Sequence, residues 1–226
     1  MSKKLWGGRF KQPLADDAKQ LSYTLESDFR LAIADITINQ AHIKALKEKE
    51  ILTPDEFDTL NEALENLKST IHDNPDNDKA SDEDIHSYVE RIMTETCGDL
   101  GKRMHTGKSR NDQVITDVRW WLKQELNQIN FLLVETIEAL ANLAEKHIDV
   151  IFPGFTHFQP AQPVLLAHHL LAYCEKFKRD ITRFEAAFDS ADVCPLGSGA
   201  IAGNNYQLDR AAMAKTLDFS KITQNS

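Results

Sequence analysis

The sequence predicts an all-α protein, and three observations support this fold class. Between a few polar breaks, apolar residues recur at intervals of three and four, which is the period of a helix. From residue 108 to residue 152 there is neither glycine nor proline. No segment shows the strict alternation expected of a half-buried strand. We therefore expect a small helical N-terminal domain followed by part of a long-helix bundle.

The first helix is predicted over about Phe29–Lys49, where apolar residues keep helical spacing. The stretch "TPDEF" then starts a second helix, because Thr53 can cap it and Glu56 completes a capping box. Ser81 can cap a third helix, which carries Ile85, Val89 and Ile92 along one face. These helices make up a predicted N-terminal domain of residues 1–110.

The second predicted domain, residues 111–226, begins with one very long helix. If this helix runs from about Asn111 to Val150, its length is roughly 55 to 60 Å. Another helix is expected from about Pro163, and the glycine-rich stretch "CPLGSGAIAGNN" ends it. Helices of this length are typical of a bundle, and their apolar stripes require other helices to cover them.

Composition excludes several classes of function. At 226 residues, with 42% hydrophobic and 27% charged residues, the chain is that of a globular protein. The net charge of -9 arises from acidic and basic residues spread along the whole chain, which argues against a nucleic-acid partner. No window approaches the roughly 18 apolar residues of a membrane span, and the first residues do not resemble a signal peptide. We expect a cytoplasmic protein that does not bind membranes.

Three cysteines are too few and too scattered for a disulfide framework or a metal site. We expect them to be reduced thiols. The histidines and carboxylates likewise show no convincing metal-ligand spacing. The sequence therefore predicts neither a metal nor another cofactor.

Three polar segments, residues 98–110, 153–162 and 195–205, break the helical pattern. In the first, Lys108, Ser109 and Arg110 lead into the start of the long helix, where free backbone N–H groups also converge. Such a segment suits a carboxylate or phosphate, although a solvated helix cap would have the same composition. The third segment, "PLGSGAIAGNN", is typical of a loop that approaches a ligand or another chain closely.

The second segment, "PGFTHFQPAQP", holds His157 among prolines and phenylalanines. Histidine suits proton transfer near neutral pH, but a lone histidine is more often structural. The long helix separates this residue from residues 98–110 by roughly 50 Å. The two segments therefore either serve separate purposes or meet through neighbouring copies of the chain. We favour active sites shared within a closed homo-oligomer.

Several motifs together resemble one enzyme family. The stretches "LWGGRF", "DEDIHSYVE", "HTGKSRNDQ", "GFTHFQPAQPV" and "PLGSGAIAG" are similar to those of the argininosuccinate lyases, which belong to the fumarase/aspartase superfamily and include the delta-crystallins of the lens. The resemblance covers essentially the whole chain. It implies a fumarase/aspartase-type helix bundle, a homotetramer, and cleavage of argininosuccinate into arginine and fumarate for arginine biosynthesis, without a cofactor.

The resemblance also assigns residues to the site. Ser109, Arg110 and Asn111 match the fumarate-binding loop of the family. Thr156 matches a substrate-binding threonine. His157 matches the histidine assigned to proton transfer, which acts directly or by activating another group.

Four further residues match positions that line the site. Asp84 and His86 lie in the "EDIH" motif, where Asp84 faces the cationic end of the substrate, caps a helix, or does both. Thr24 and Asp28 stand where the family carries a substrate-contacting serine and an aspartate. Lys108 stands where the family usually has arginine, which keeps the charge but loses the bidentate geometry.

Members of the family are about twice as long, and a flexible loop with the pattern "SS.MP.K.NP" lies beyond the position of residue 226. That loop carries the serine thought to act as the base. The resemblance therefore implies that the 226-residue chain alone is inactive. The alternatives are another fumarate-releasing lyase of the superfamily and a non-catalytic, crystallin-like fragment.

Overall fold

The computed structural model describes residues 15–73 and 82–225 of the chain. The "LWGGRF" motif and Ser81 lie outside these residues. The described residues form two compact units, of which the first comprises those up to residue 109 together with 204–208. The second comprises residues 110–203 with 209–225. Helices dominate the described residues of both units, so the all-α prediction is confirmed.

The first unit is a cluster of helices. Its helices are α1 (Asp16–Ser22), α2 (Leu25–Asp28), α3 (Ala32–Glu48), α4 (Pro54–Asp73), α5 (Ile85–Cys97) and α6 (Asp99–Arg103), and a 3-10 turn at Phe29–Leu31 leads into α3. Helices α3, α4 and α5 pack against one another. Helix α3 is buried on most of its circumference, and its side chains Ile36, Ile38, Ile43 and Leu46 are fully enclosed. It is the centre of the unit.

Local sequence signals explain where these helices begin. The capping box of α4 forms as predicted, because Thr53 N–H donates to Glu56 at 2.9 Å and Glu56 N–H donates to the Thr53 hydroxyl at 3.2 Å. The predicted Ser81 cap is wrong, since α5 begins at Ile85 and Asp84 is its N-cap. Helix α6 was not predicted, because it is a single short turn within the polar segment 98–110.

The second unit is built on two long helices. Helix α7 (Arg110–Lys146) runs without a break for 37 residues, as predicted, and α8 (Leu166–Ala191) packs beside it. Beyond α8, the strand β3 (Val193–Cys194) pairs in parallel with β4 (Lys221–Ile222), and α9 (Arg210–Thr216) lies between them in sequence. Leu196, Met213 and Leu217 form a small buried core there.

The segment between α7 and α8 contains strands that the sequence did not predict. β1 (Ile151–Thr156) and β2 (Gln159–Leu165) form an antiparallel hairpin with an irregularity between Pro153 and Phe155. Three prolines in the segment argued against a strand. Both strands of a two-stranded ribbon are edge strands, however, and an edge strand tolerates proline because half of its N–H groups have no partner strand. Because β2 includes Pro163 and continues to Leu165, α8 begins at Leu166 and not at Pro163.

Much apolar surface of the long helices is exposed. Only ten residues of α7 and α8 together are buried. The exposed large apolar side chains of the two helices are Ile115, Phe131, Leu132, Val134, Leu143, Leu171 and Tyr173. No helix among the described residues is long and apolar enough to cross a membrane. These apolar stripes are the surface that a bundle of further helices would bury.

The tip of the hairpin has a strained backbone. Thr156 pairs with Gln159, so the turn consists of His157 and Phe158 alone. Both residues have positive φ, 48° and 60°, as in a type I′ turn, where Asn-Gly is the preferred pair. The Phe158 ring is 99% exposed and gains nothing from packing in the chain. This turn is held against its local preference, which is a common feature of functional loops.

We expect Phe158→Gly to raise the free energy of unfolding by about 0.5 to 1 kcal/mol, because glycine adopts positive φ without a steric penalty. Urea titration followed by circular dichroism measures this change. Phe155→Gly is the matched control in β1 and should lower the free energy instead, since Phe155 is not among the residues with positive φ and gains nothing from the freedom of glycine. A destabilised Phe158→Gly variant would contradict the inference that the turn at His157 and Phe158 is strained.

Candidate functional site

Two distant stretches of the sequence meet in the first unit. Thr24 N–H donates to the Glu83 carbonyl at 2.8 Å, and the Thr24 hydroxyl donates to the Asp28 carboxylate. This contact joins the segment of Thr24 and Asp28 to the segment of Asp84 and His86. Thr24 is exposed, so its hydroxyl can be reached from solvent. Four of the predicted site residues therefore lie on neighbouring segments.

Asp84 serves as the cap of α5. Its Oδ1 accepts the Ser87 N–H at 2.7 Å, and its backbone is extended, as the N-cap position requires. The capping interpretation is confirmed. Asp84 remains half-buried, so the cap fixes the side chain without enclosing it.

His86 is buried and held by a carboxylate. Its Nδ1 lies 3.0 Å from Asp35 Oδ1, and the two side chains are 4% and 0% exposed. A carboxylate accepts, so Nδ1 carries the proton in this contact, and the orientation of the ring is fixed. Of the predicted residues, His86 is the most enclosed.

Lys108 is also buried, whereas the sequence left open whether its segment binds an anion or forms a solvated helix cap. Its side chain is 8% exposed, and its ammonium donates to Asn39 Oδ1. The Asn39 amide in turn donates to Asp35 Oδ2 at 3.0 Å. Lys108, Asn39, Asp35 and His86 thus form one hydrogen-bonded chain inside the first unit.

His42 lies one turn further along α3 and is fully buried. Its Nε2 donates to the Thr106 carbonyl at 2.8 Å, and its Nδ1 has no hydrogen-bond partner. Burial, and then the charge of Lys108, lower its pKa from 6.5 to about 3. His42 is therefore neutral at physiological pH, and its hydrogen bond helps to fix the backbone of residues 105–109.

Sequence reasoning missed the polar residues of α3. Asp35, Asn39 and His42 follow one another at intervals of four and three, which places them on one face of the helix. All three are fully buried. A polar stripe on a helix whose other residues are mostly apolar was the signal available, because buried polar groups need partners.

The second unit contains Arg110 and Asn111, which follow Ser109 in the predicted fumarate-binding loop. Arg110 and Asn111 form the first turn of α7, directly after Ser109, and the backbone N–H groups of this turn give it a positive dipole end. Arg110 is half-buried and Asn111 is exposed. Their position suits contact with a carboxylate.

The glycine-rich loop lies at this same end of α7. The Asp112 carboxylate accepts N–H bonds from Gly197 at 3.0 Å and from Gly199 at 2.8 Å. Arg210 holds the loop as well, since it donates to the Leu196 carbonyl at 3.2 Å and to the Ser198 hydroxyl at 3.1 Å. The glycine-rich segment is therefore held against the first turns of α7 within the second unit, which the sequence did not predict.

Thr156 and His157 lie at the far end of α7, in the exposed hairpin. The 37 residues of α7 separate this hairpin from Arg110 and Asn111 by about 55 Å. Within the second unit of one chain, these two groups of predicted site residues do not come together.

We expect the buried His42 to make the chain sensitive to acid. The folded pKa lies below the unfolded value, so the folded state binds fewer protons between pH 6.5 and pH 3. The contribution of His42 is complete above pH 6.5 and is lost as the pH falls, by up to about 1.4 kcal/mol per pH unit.

His42→Gln keeps a donor for Thr106 and removes the titration, so it should flatten the slope of unfolding free energy against pH over this range. Urea titrations at a series of pH values measure the slope. His72→Gln, at a histidine that is 84% exposed, is the matched control and should leave the slope as it is. Equal slopes for His42→Gln and the wild type would contradict a neutral buried His42.

Comparison with known proteins places these residues in a family. A family model described as "Lyase" matches residues 8–226. An argininosuccinate lyase from Thermoanaerobacter sp. (strain X514) is 45% identical over 223 residues, which cover 99% of this chain and 50% of the relative. One from Heliobacterium mobile is 44% identical over 226 residues, covering 100% and 49%. The chain thus spans about half the length of these curated relatives.

Among solved structures, the crystal structure of EDDS lyase in complex with formate is similar, with a TM-score of 0.75 and 27% identity. The match covers 92% of this chain and 40% of that protein. Its fold is the helix bundle of the fumarase/aspartase lyases. Since the family model spans nearly all of the sequence, the chain belongs to the lyase family.

Proposed function

We propose that this chain is the N-terminal half of an argininosuccinate lyase, which eliminates fumarate from argininosuccinate and releases arginine. The observation that carries the proposal is the identity of 44% to 45% with curated argininosuccinate lyases over essentially the whole chain. The family match over residues 8–226 supports it.

The elimination sets a clear electrostatic requirement. A base removes a proton from the carbon next to a carboxylate, and the electron pair is held as an aci-carboxylate while the guanidinium nitrogen leaves. Negative charge therefore builds up on the carboxylate oxygens, and donors already in place stabilise it most effectively. Ser109, Arg110 and Asn111 supply such donors at the positive end of α7.

The hairpin supplies the second group of residues. We assign substrate binding to Thr156 and proton transfer to His157, either directly or through another group. Both side chains are exposed, and the turn that carries His157 has a strained backbone. Exposure and strain at the same residue support a role outside the packing of its own chain.

The first unit supplies the third group. Thr24, Asp28, Asp84 and His86 lie on segments joined by the hydrogen bond between Thr24 and Glu83. In this assignment Asp84 faces the guanidinium end of the substrate while it caps α5. The carboxylates suit a cation, and the Thr24 hydroxyl, which donates to Asp28 in this structure, can turn to donate to a carboxylate oxygen of the substrate instead.

The active site is shared between copies of the chain in a homo-oligomer, a tetramer in this family. The length of α7 supports this, because it keeps His157 about 55 Å from Arg110 and Asn111. Antiparallel helices of neighbouring copies would bring the two ends together and cover the apolar stripes. The free thiols Cys97, Cys174 and Cys194 suit the reducing cytoplasm, which we propose as the location.

EDDS lyase, at 27% identity, favours a second candidate of the same class: a lyase of the superfamily that acts on another substrate. The argininosuccinate lyases match at higher identity and over more of this chain, so we prefer their substrate. The serine loop of the family has no counterpart in residues 1–226. We therefore propose that these residues alone do not turn over.

The test compares the chain with a fusion enzyme, defined as residues 1–226 joined to the C-terminal half of the Thermoanaerobacter relative. With argininosuccinate, the fusion enzyme should release fumarate, measured by its ultraviolet absorbance, whereas the 226-residue chain should not. His157→Ala in the fusion enzyme should lower kcat by at least about 100-fold, because general acid-base catalysis contributes that much.

Exposed His147, at the end of α7, provides the matched control, and His147→Ala should keep the activity of the wild-type fusion enzyme. A folded, tetrameric fusion enzyme that converts another amino-acid adduct of fumarate but not argininosuccinate would favour the second candidate. Fumarate release by the purified 226-residue chain alone would refute the need for a C-terminal half.

A further inference from the structure

Three members of the buried polar chain in the first unit, Asp35, Asn39 and Lys108, have no role in the assignments made above. Helix α3 supplies the two middle members of the chain, Asp35 and Asn39, which are separated by one helical turn. Its ends come from elsewhere in the sequence: His86 from the first turn of α5, and Lys108 from the loop before Ser109. The exposed fractions of Asp35, Asn39, His86 and Lys108 are 0%, 0%, 4% and 8%.

Burial makes these contacts specific. A buried cation or carboxylate is costly unless it is hydrogen-bonded and paired. The Asn39 amide satisfies both charges, because its oxygen accepts from the Lys108 ammonium while its nitrogen donates to the Asp35 carboxylate at 3.0 Å. A carboxylate at position 39 would repel Asp35, and an apolar side chain would leave Lys108 without this acceptor. An amide therefore fits both neighbours.

Each end of the chain fixes part of the proposed site. Asp35 accepts from His86 Nδ1 at 3.0 Å, which sets the orientation of the imidazole and leaves Nε2 as its other polar atom. Lys108 immediately precedes Ser109, the first residue of the proposed fumarate-binding loop. With its ammonium buried on Asn39, Lys108 holds the loop from the inside.

We propose that Asp35 and Asn39 are positioning residues of the lyase site, which couple the orientation of His86 to the position of the loop at Ser109. Lys108 is then an anchor of this loop and not a ligand of the substrate carboxylate. The inference rests on the proposed function, since it assigns these residues to the same site.

The first arm of the test measures kinetics in the fusion enzyme. Asn39→Leu should lower kcat by about tenfold or more and change KM by less than about threefold, because a misplaced group costs rate more than binding. Asp35→Asn is the conservative variant and should lower kcat less. Lys108→Arg keeps a buried donor and should retain most of the activity, whereas Lys108→Met should behave like Asn39→Leu.

Thr37→Val is the matched control. Thr37 lies on the same helix, is partly buried, and bonds only its own helix backbone, at Ile33 O, among the contacts described. This variant should keep kcat. Thermal melts identify any variant that fails to fold. The kcat of a conservative variant, Asp35→Asn or Lys108→Arg, then tests the positioning role in its place.

The second arm uses the 226-residue chain itself and needs no activity. With ¹⁵N-labelled histidine, Asn39→Leu and Lys108→Met should both shift the imidazole nitrogen resonances of His86, although neither residue contacts the ring in the bonds described. Thr37→Val should leave these resonances in place. Unshifted His86 resonances in both variants would mean that the buried hydrogen bonds do not link Lys108 to His86.

The outcomes separate the two proposals. An active wild-type fusion enzyme whose Asn39→Leu variant keeps kcat overturns the positioning role alone. So does a rise in KM at constant kcat for Lys108→Met, because that result makes Lys108 a substrate ligand. A wild-type fusion enzyme that folds but releases no fumarate from any substrate overturns the proposed function, and the positioning role with it.

Discussion

The unbroken length of α7 is the constraint on which the rest of the second unit depends. An α-helix advances 1.5 Å per residue, so 37 residues form a stiff spacer between the first turn of α7 and the hairpin. The same length exposes apolar stripes that α8 alone cannot cover. The length of α7 therefore causes both the separation of Arg110 and Asn111 from the hairpin and the exposure of the apolar stripes.

The first unit is constrained differently, because it encloses charged groups within an apolar helix cluster. Helix α3 does this by carrying Asp35, Asn39 and His42 on one face while its other faces pack apolar side chains. Each buried polar group lies against a partner from another segment, so the network ties α5 and the loop before Ser109 to the centre of the unit. Such a network is specific because an incomplete one is costly.

The helices could be predicted from the sequence because their signals are local: apolar periodicity for α7, and the paired hydrogen bonds of Thr53 and Glu56 for α4. The hairpin could not, since its prolines are tolerated only in edge strands. The burial of Lys108 and the contact of Asp112 with the glycine loop were also missed, because both depend on residues more than 65 positions away. The resemblance of the motifs predicted the site residues, but tertiary contacts determine which of the predicted residues lie together.

The bond between Asp112 and Gly197 also bears on the order of events during synthesis. It joins residues 85 positions apart, and the ribosome makes α7, the hairpin and α8 in the interval. The N-terminal turn of α7 therefore emerges long before the loop that completes it. Contacts of such high sequence separation form late in folding. Until then the Asp112 carboxylate lacks the two N–H donors that the loop supplies, so the start of α7 is open to chaperones.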